Sequence, residues 1–494
     1  MRSPAAIAAV LLTAALAPAA DPEIVGTHHQ VRANGQILRY TAHAGLLPIR
    51  NNDAGDIHAH IFFVAYILDR AASQPARPLT FVWNGGPGAN STLVHLSGFG
   101  PRRLKSADDP AVSSPPPAAL EDNDATWLEF TDLVFVDPVG TGFSRPVKAE
   151  YGAEFYSTLG DIASVAEFIR VYRTHFDTFD GPLFLAGESY GTWRASGVAE
   201  ALEKRGQHVA GVMLISGGIQ MGPVSPDPIR VALFAPNRAA AAFYHHKLAP
   251  ELQRDEQATL KEVETWALSE YAPAWERRDQ LSDSERDKII AQLARYTGVD
   301  PSAIDRKALS MTSPQFTAAL LRDGKPPLGR YDMRLKGPAA PSDSARNAII
   351  LRYLRGDLQF KTDLAYQGIE EGFSPAPAAG RGGIGSRWAW DQVDKNQTTA
   401  VSNVGSGDGP PPAQPWLRRA MTLDPALKVF LVAGMYDSLN SCADNNYLVA
   451  HLQPEFRRNI TQGCYRGGHM MYDTKEARYN LKRDAAAFIQ NAGK

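Results

Sequence analysis

Short apolar runs alternate with amphipathic stretches along most of this chain. Five runs rich in β-branched and aromatic residues predict buried strands: PLTFVW, DLVFVD, GPLFLAG, GVMLIS and, much later, LKVFLVAG. Between them, DIASVAEFIRVYRTHF has an apolar residue every three or four positions, which predicts a helix with one apolar face. These residues are Ile162, Val165, Ile169, Tyr172 and Phe176. The alternation predicts an α/β fold with a mostly parallel central sheet flanked by helices.

The segment before these runs has the pattern of antiparallel strands. HHQVRANGQILRYTAHAG, with Asn34-Gly35 near its centre, predicts a β-hairpin. HAHIFFVAYIL, from His58 to Leu68, predicts a further strand. His58 and His60 share one face of that strand, but no third metal ligand occurs at a matching spacing. A solvated strand face is therefore the better interpretation.

The strand pattern disappears between about Pro223 and Pro415, where charged helical sequence and loops rich in Pro and Gly replace it. We interpret this region as an inserted, largely helical cap. The predicted division is a signal peptide at 1–20, the first part of the core at 21–222, the cap at 223–407 and the second part of the core at 408–494. Asp473 and Thr474 are candidates to cap a last helix. One side of that helix carries Ala477, Leu481 and Phe488.

The first residues are typical of a secretory signal. Arg2 precedes an apolar run from Ala5 to Leu16, which is followed by Ala17-Pro18-Ala19, a pattern of small residues found at cleavage sites. A membrane anchor is the alternative, but about a dozen apolar residues are too few to span roughly 30 Å of hydrocarbon. We therefore expect export to the periplasm or the extracellular space, without stable membrane insertion.

Composition narrows the class of partner. The 494 residues carry a formal net charge of −2, which offers no electrostatic reason to expect nucleic acid or anionic lipid as a partner. Cys442 and Cys464 are too few for a disulfide scaffold and lack the spacing of a zinc site. In an oxidising compartment they are candidates for a disulfide, and two separate buried thiols are the alternative. We expect neither a metal nor a cofactor, and the oligomeric state stays open.

The pentapeptide GESYG places Ser189 between two glycines. It follows the apolar run PLFLA and precedes a predicted helix, TWRASGVAEALEKR. This is the setting of a nucleophile elbow, a sharp turn from strand to helix that lifts the serine hydroxyl out of the sheet. Because G-x-S-x-G is a short motif, the prediction that Ser189 is a nucleophile depends on the strand and helix around it and on its partner residues.

The partners of a serine nucleophile occur in the order that an α/β hydrolase requires. Asp437 directly follows the last predicted strand, VFLVAGMY, and His469 lies beyond it in YRGGHMMY. Asp424 precedes that strand, and Asp444 lies in the next predicted helix, so neither has the position of the acid. A serine needs an imidazole to take its proton, and a carboxylate to hold the imidazole in place. In this architecture the backbone N–H of Tyr190 is one oxyanion donor.

Five motifs together resemble the serine carboxypeptidase family. NGGPG from Asn84 to Gly88, DPVGTGFS, GESYG, GMYD and GGHMMY occur in the order and rough spacing of that family. The resemblance covers essentially the whole exported chain except the cap. It implies an α/β hydrolase that removes the C-terminal residue from peptides with a free carboxylate. It also implies that Gly86 is the second oxyanion donor. Asn84, Gly85 and Glu188 would then bind the substrate carboxylate.

The resemblance explains why a glutamate precedes the predicted nucleophile. Two carboxyl groups in contact cannot both stay ionised, so Glu188 would take up a proton and donate a hydrogen bond to the substrate carboxylate. Two departures from the family pattern are Val82, where many relatives have tryptophan, and Ala89, where eukaryotic relatives have cysteine. The same triad also suits an esterase or acyltransferase, and a protein that kept the fold without catalysis is a further alternative. Side-chain preference stays open.

Overall fold

The structure is a computed structural model that describes residues 24–71, 73–109, 111, 119–219, 221, 227–321, 326–337, 344–370, 383–391 and 414–493. Its strands are β1 (Val25–Ala33), β2 (Gln36–Arg50), β3 (Ile57–Leu68), β4 (Leu79–Trp83), β5 (Arg102–Leu104), β6 (Leu120–Asp122), β7 (Asp132–Asp137), β8 (Arg145–Pro146), β9 (Leu183–Glu188), β10 (Gly211–Ile215), β11 (Lys428–Gly434) and β12 (Ile460–Tyr465). A ten-stranded sheet has the order β1-β2-β3-β7-β4-β9-β10-β11-β12, with β8 paired to β3.

The sheet is antiparallel at one end and parallel over the rest. Strands β1, β2 and β3 pair antiparallel, and the hairpin turns at Asn34 and Gly35, both with positive φ, as the sequence predicts. From β7 to β12 every neighbouring pair is parallel, which confirms the mostly parallel α/β sheet. Strand β12 was not predicted, because its residues are mostly exposed or half-buried and its sequence, ITQGCY, contains no apolar run.

The helices lie mainly after the parallel strands and in the region between β10 and β11. They are α1 (Gly152–Phe155), α2 (Thr158–Phe176), α3 (Gly191–Glu203), α4 (Asp227–Ala232), α5 (Ala235–Tyr244), α6 (Glu256–Trp266), α7 (Ala272–Glu276), α8 (Asp283–Thr297), α9 (Ser313–Ala319), α10 (Ser344–Arg352), α11 (Trp416–Leu423), α12 (Cys442–Ala450), α13 (Pro454–Arg457) and α14 (Lys475–Ala492). Four of the five residues of the predicted apolar face of α2 are buried, and the fifth, Phe176, is half-buried against the same core.

Alternate side chains of the strands supply two apolar cores, one on each face of the sheet. On β3, Phe63 and Ala65 join the core covered by α2, α3 and α11, whereas Phe62 and Val64 join the core covered by α10 and α14. Both faces are covered, so the central strands are buried along their whole length, as parallel sheets require.

Helix ends are stabilised by local hydrogen bonds, with one correction to the prediction. The Ser157 side chain accepts a hydrogen bond from the Gly160 N–H at the start of α2. Thr474 occupies the corresponding position before α14, but its side chain makes no capping hydrogen bond. Its hydroxyl instead accepts a hydrogen bond from Arg334, because a loop from the region between β10 and β11 packs against it.

Helices α4 to α9 gather around a third apolar cluster that extends from Ala232 to Met333 along the chain and includes Ala443 of α12. In contrast, the stretch from Ile350 to Tyr366, within the predicted cap, packs against the sheet. The limits of the cap stay a prediction, and the predicted signal peptide lies outside the described residues. In the described ranges we find no helix with the length and apolar character that a membrane crossing needs.

Candidate active site

The loops that follow β4, β9, β10, β11 and β12 all leave the sheet at one edge, because these strands are parallel neighbours. Each residue predicted for catalysis or for binding the substrate carboxylate lies on one of these loops or, in the case of Glu188, at the end of a strand. The structure therefore brings Asn84, Gly85, Gly86, Ser189, Asp437 and His469 to one edge of the sheet. This is the edge at which open α/β sheets bind ligands.

Ser189 occupies a sharp turn between β9 and α3. Its φ of 59° lies in the left-handed region, where a residue other than glycine is held only by its surroundings. The Ser189 N–H donates to the Ile215 carbonyl oxygen at 2.9 Å. A Cβ atom on Gly187 would lie 1.9 Å from the Gly191 carbonyl oxygen, so the turn needs glycine there. Ser189 is half-buried, whereas Glu188 and Tyr190 are buried.

Asp437 and His469 form a buried pair. The Asp437 Oδ2 atom is 2.8 Å from His469 Nδ1, and Oδ1 accepts a hydrogen bond from the Leu439 N–H. Burial by itself lowers the pKa of His469, but the Asp437 carboxylate and then Glu188 raise it, and the net pKa lies above its usual value. Asp424 ends α11 and Asp444 lies in α12, as their sequence positions indicate.

The backbone of His469 is held from two sides by residues that sequence analysis missed. Its N–H donates to the Tyr331 carbonyl oxygen at 2.6 Å, and its carbonyl oxygen accepts a hydrogen bond from Ser216 Oγ at 2.5 Å. Asn440 Nδ2 donates both to the Ser216 carbonyl oxygen and to Asp437 Oδ2, each at 2.9 Å. Ser216 thereby connects the segments that carry the acid and the histidine.

The loop after β4 lies directly against the turn at Ser189. A Cβ atom on Gly85 would come within 2.6 Å of both the Glu188 carbonyl oxygen and the Tyr190 nitrogen, so only glycine allows this approach. Gly86 follows with a φ of 102° and a cis peptide bond to Pro87. Among the described residues, neither the Gly86 nor the Tyr190 backbone N–H donates a hydrogen bond to another group of the chain.

Trp83 and Val82, at the end of β4, point to opposite faces of the sheet. The Trp83 indole N–H donates to the Gly191 carbonyl oxygen at 2.9 Å, and its ring is fully buried under the turn. Val82 is fully buried on the opposite face of the sheet. The tryptophan of this chain therefore supports the turn at Ser189.

Glu188 is buried beside Asn84 and Tyr472. Asn84 Nδ2 donates to Glu188 Oε1 at 2.9 Å, and the Tyr472 hydroxyl donates to Oε2. Burial raises the pKa of Glu188 to about 7, although His469 and the Tyr472 hydrogen bond act in the opposite direction. Tyr472 was missed by sequence analysis, although it lies only three residues after His469 in GGHMMY.

A buried ion pair supports this side of the site from below. Arg194 Nε donates to Asp161 Oδ2 at 2.8 Å, and the same carboxylate oxygen accepts the Tyr190 hydroxyl at 3.1 Å. Arg194 Nη1 also donates to the Asn84 carbonyl oxygen at 2.8 Å. No local motif marks these residues, because Asp161 and Arg194 belong to different helices that only the tertiary fold brings together.

Cys442 and Cys464 form a disulfide, with their Cα atoms 5.9 Å apart. Cys442 begins α12, five residues after Asp437, and Cys464 lies in β12, five residues before His469. The disulfide therefore links the chain that follows the predicted acid to the chain that precedes the predicted base.

One group of potential metal ligands lies elsewhere. In the described part of the chain, Glu203, His208 and Asp424 bring one nitrogen and two oxygen atoms within 4.8 Å of one another. His208 is the most exposed of the three, with 80% of its side chain accessible to solvent. Glu203 is the last residue of α3, His208 follows that helix, and Asp424 follows α11. The three residues therefore lie at the edge of the sheet opposite Ser189, outside the site described above.

Residues 34–288, just over half of the chain, match the family model described as serine carboxypeptidase. The chain belongs to the serine carboxypeptidase family. The pheromone-processing carboxypeptidase kex1 of Aspergillus niger is 28% identical over 272 residues, which are 54% of this chain and 40% of that protein. The corresponding Arthroderma otae protein is 35% identical over 179 residues, 35% of this chain and 24% of that protein.

This family member therefore spans less than half the length of the curated relatives that it matches. Its fold resembles the crystal structure of a prohormone-processing carboxypeptidase from Saccharomyces cerevisiae, with a TM-score of 0.52 and 17% identity. That likeness covers 92% of this chain and 91% of the yeast chain, and at this identity it shows the fold alone. The predicted α/β-hydrolase fold is thus confirmed.

Proposed function

We propose that this chain is a serine carboxypeptidase that hydrolyses the C-terminal peptide bond of peptides. Ser189 would be the nucleophile, His469 the general base and Asp437 the acid that orients His469. The buried contact between Glu188 and Asn84 is the observation that carries the proposal, because a peptidase that removes one C-terminal residue must hold a free carboxylate.

The proposed reaction passes through an acyl-enzyme. Ser189 Oγ attacks the carbon of the last peptide bond while His469 Nε2 takes the hydroxyl proton. The bond between carbon and nitrogen then breaks, and the imidazolium returns its proton to the departing amine. Water, activated in the same way, hydrolyses the ester and restores Ser189. The N–H groups of Gly86 and Tyr190 would stabilise the oxyanion in both halves of the reaction.

The carboxylate site would work without a cationic residue. In the part of the chain that the structure describes, no lysine or arginine is hydrogen-bonded to Glu188 or forms an ion pair with it. A peptide carboxylate placed against ionised Glu188 would be repelled, so it selects the protonated form, which donates a hydrogen bond. Asn84 has a second amide N–H for the same ligand.

Three substrates built on the same blocked dipeptide test the proposal: the free acid, its C-terminal amide and its C-terminal ester. Below pH 7 the wild type should prefer the peptide acid over the amide, because only the acid has a carboxylate for Glu188 and Asn84. A fluorophosphonate should label Ser189, and Ser189→Ala should abolish both labelling and hydrolysis. Ser196→Ala, which removes a buried hydroxyl within α3, is the matched control and should retain both.

The alternatives predict different results. An esterase or acyltransferase of this fold would favour the ester and show no preference for the acid over the amide. A non-catalytic relative would neither hydrolyse any of the three nor react with the fluorophosphonate. We further propose that the chain acts after export, because its first residues are typical of a secretory signal.

A further inference from the structure

Tyr472 is held rigidly with its hydroxyl directed at Glu188. Its side chain is fully buried, its ring meets Phe99 edge to face with centroids 5.4 Å apart, and the backbone of Gly98 lies beside the ring. The hydroxyl donates to Glu188 Oε2, and burial raises the pKa of Tyr472 well above its usual value. The hydroxyl therefore keeps its proton and remains a donor throughout the pH range of an assay.

The groups that face Glu188 come from two loops. Asn84, from the loop after β4, donates to Oε1, while His469, Tyr472 and Asp473 come from the segment after β12. Burial raises the pKa of Glu188, and Asp473 adds to the rise, whereas His469, Tyr472 and Asn84 lower it. Three groups thus lower the pKa of Glu188. Replacement of Tyr472 by phenylalanine removes one of these interactions with little change in the shape of the side chain.

We propose that Tyr472 is a positioning residue that stabilises ionised Glu188 in the empty site and thereby sets the upper pH limit for binding peptide acids. This inference rests on the proposed function. A hydrogen bond donated to a carboxylate favours the charged form. The peptide carboxylate needs the opposite form, so the Tyr472 hydroxyl competes with ligand binding as the pH rises. Tyr472 thus orients Glu188 at the expense of binding in alkaline solution.

Tyr472→Phe tests this competition. Loss of the hydroxyl should let Glu188 keep its proton to higher pH, so the rise of KM for a peptide acid should begin about one pH unit later than in the wild type. Above pH 8 the variant should therefore bind the acid more tightly, with a KM lower by up to about tenfold. The KM of the matching amide should not change at any pH.

Tyr465→Phe is the matched control, because Tyr465 is another buried tyrosine whose hydroxyl donates to a carboxylate, that of Asp484, outside the site. Its KM profile should match the wild type. Fluorophosphonate labelling of Ser189 and the melting temperature show whether each variant is folded. Glu188→Gln is the reference, because its KM for the peptide acid should not depend on pH.

Two results would overturn the inference. The first is a KM profile of Tyr472→Phe identical to that of the wild type. The second is a KM raised equally at every pH, which would mean that the hydroxyl binds the substrate itself. If instead the wild type neither hydrolyses peptide acids nor reacts with the fluorophosphonate, the proposed function fails, and the inference fails with it. A wild type that is active with an unchanged variant profile overturns the inference alone.

Discussion

Glu188 and Asp437 are two buried carboxylic acids of the candidate site, and they differ in the side chains that hydrogen-bond to them. Asp437 faces His469, a group that can take up a proton and become a cation. Glu188 accepts hydrogen bonds from Asn84 and Tyr472, which both stay neutral. The partner thus decides which ion each acid suits. Under the proposed function, Asp437 would stabilise an imidazolium, and Glu188 would take up a proton and bind an anion.

The largest expected effect comes from breaking the Asp437 side of this comparison. Asp437→Ala should lower kcat by about 10³- to 10⁴-fold, because His469 loses both its orientation and the charge that stabilises its protonated form. Asp424→Ala and Asp444→Ala are the matched controls, and both should stay near wild type. Steady-state kinetics on a peptide acid measure the effect, and near-normal turnover in Asp437→Ala would show that another group is the acid.

Glu188→Gln breaks the other side. If Glu188 holds the peptide carboxylate as proposed, it must take up a proton for binding above pH 7, so the KM of the wild type for a peptide acid should rise about tenfold for each pH unit. Glutamine donates a hydrogen bond at every pH, so this rise should disappear, and hydrolysis of the amide should hardly change. KM measured between pH 6 and 9 decides the matter. The same pH dependence in both proteins would mean that Glu188 does not hold the carboxylate.

The same substitution tests the raised pKa of Glu188 through the free energy of unfolding. Between the ordinary glutamate pKa of 4.5 and the folded-state pKa of about 7, folded Glu188 keeps a proton that the unfolded chain has lost. Stability is therefore lost as the pH rises through this window, by up to roughly 3 kcal/mol relative to Glu188→Gln. Chemical denaturation at pH 4.5 and pH 8 measures the difference. A constant difference between the two proteins would contradict the raised pKa.

The smallest effect should come from the hydroxyl that holds the His469 backbone. Ser216→Ala removes the hydrogen bond to the His469 carbonyl oxygen and should lower kcat by about tenfold, with little change in KM. Ser196→Ala, which removes another buried hydroxyl, should leave both parameters unchanged. A uniform loss of activity that follows the loss of folded protein would indicate that Ser216 acts on stability alone.

Much of the fold was predictable because most of its strands and helices have a recognisable pattern of apolar residues in their own sequence. Buried parallel strands are continuous apolar runs, and the α2 helix has a regular apolar face, so both were found from periodicity. Strand β12 was not, because an edge strand with half-exposed residues has neither signal. The failure of Thr474 to cap α14 was equally hidden, since Arg334, a partner far away in sequence, competes for its hydroxyl.

The sequence by itself determined the family and the candidate residues of the site. The glycine-rich turns are short local motifs, and the order of serine, aspartate and histidine can be read directly along the chain. Only the tertiary structure decided what surrounds them. Tyr472 meets Glu188 across 284 positions, and Ser216 meets His469 across 253. Burial and hydrogen bonding between such distant positions determine a pKa, and neither can be read from the residues next to a titratable group.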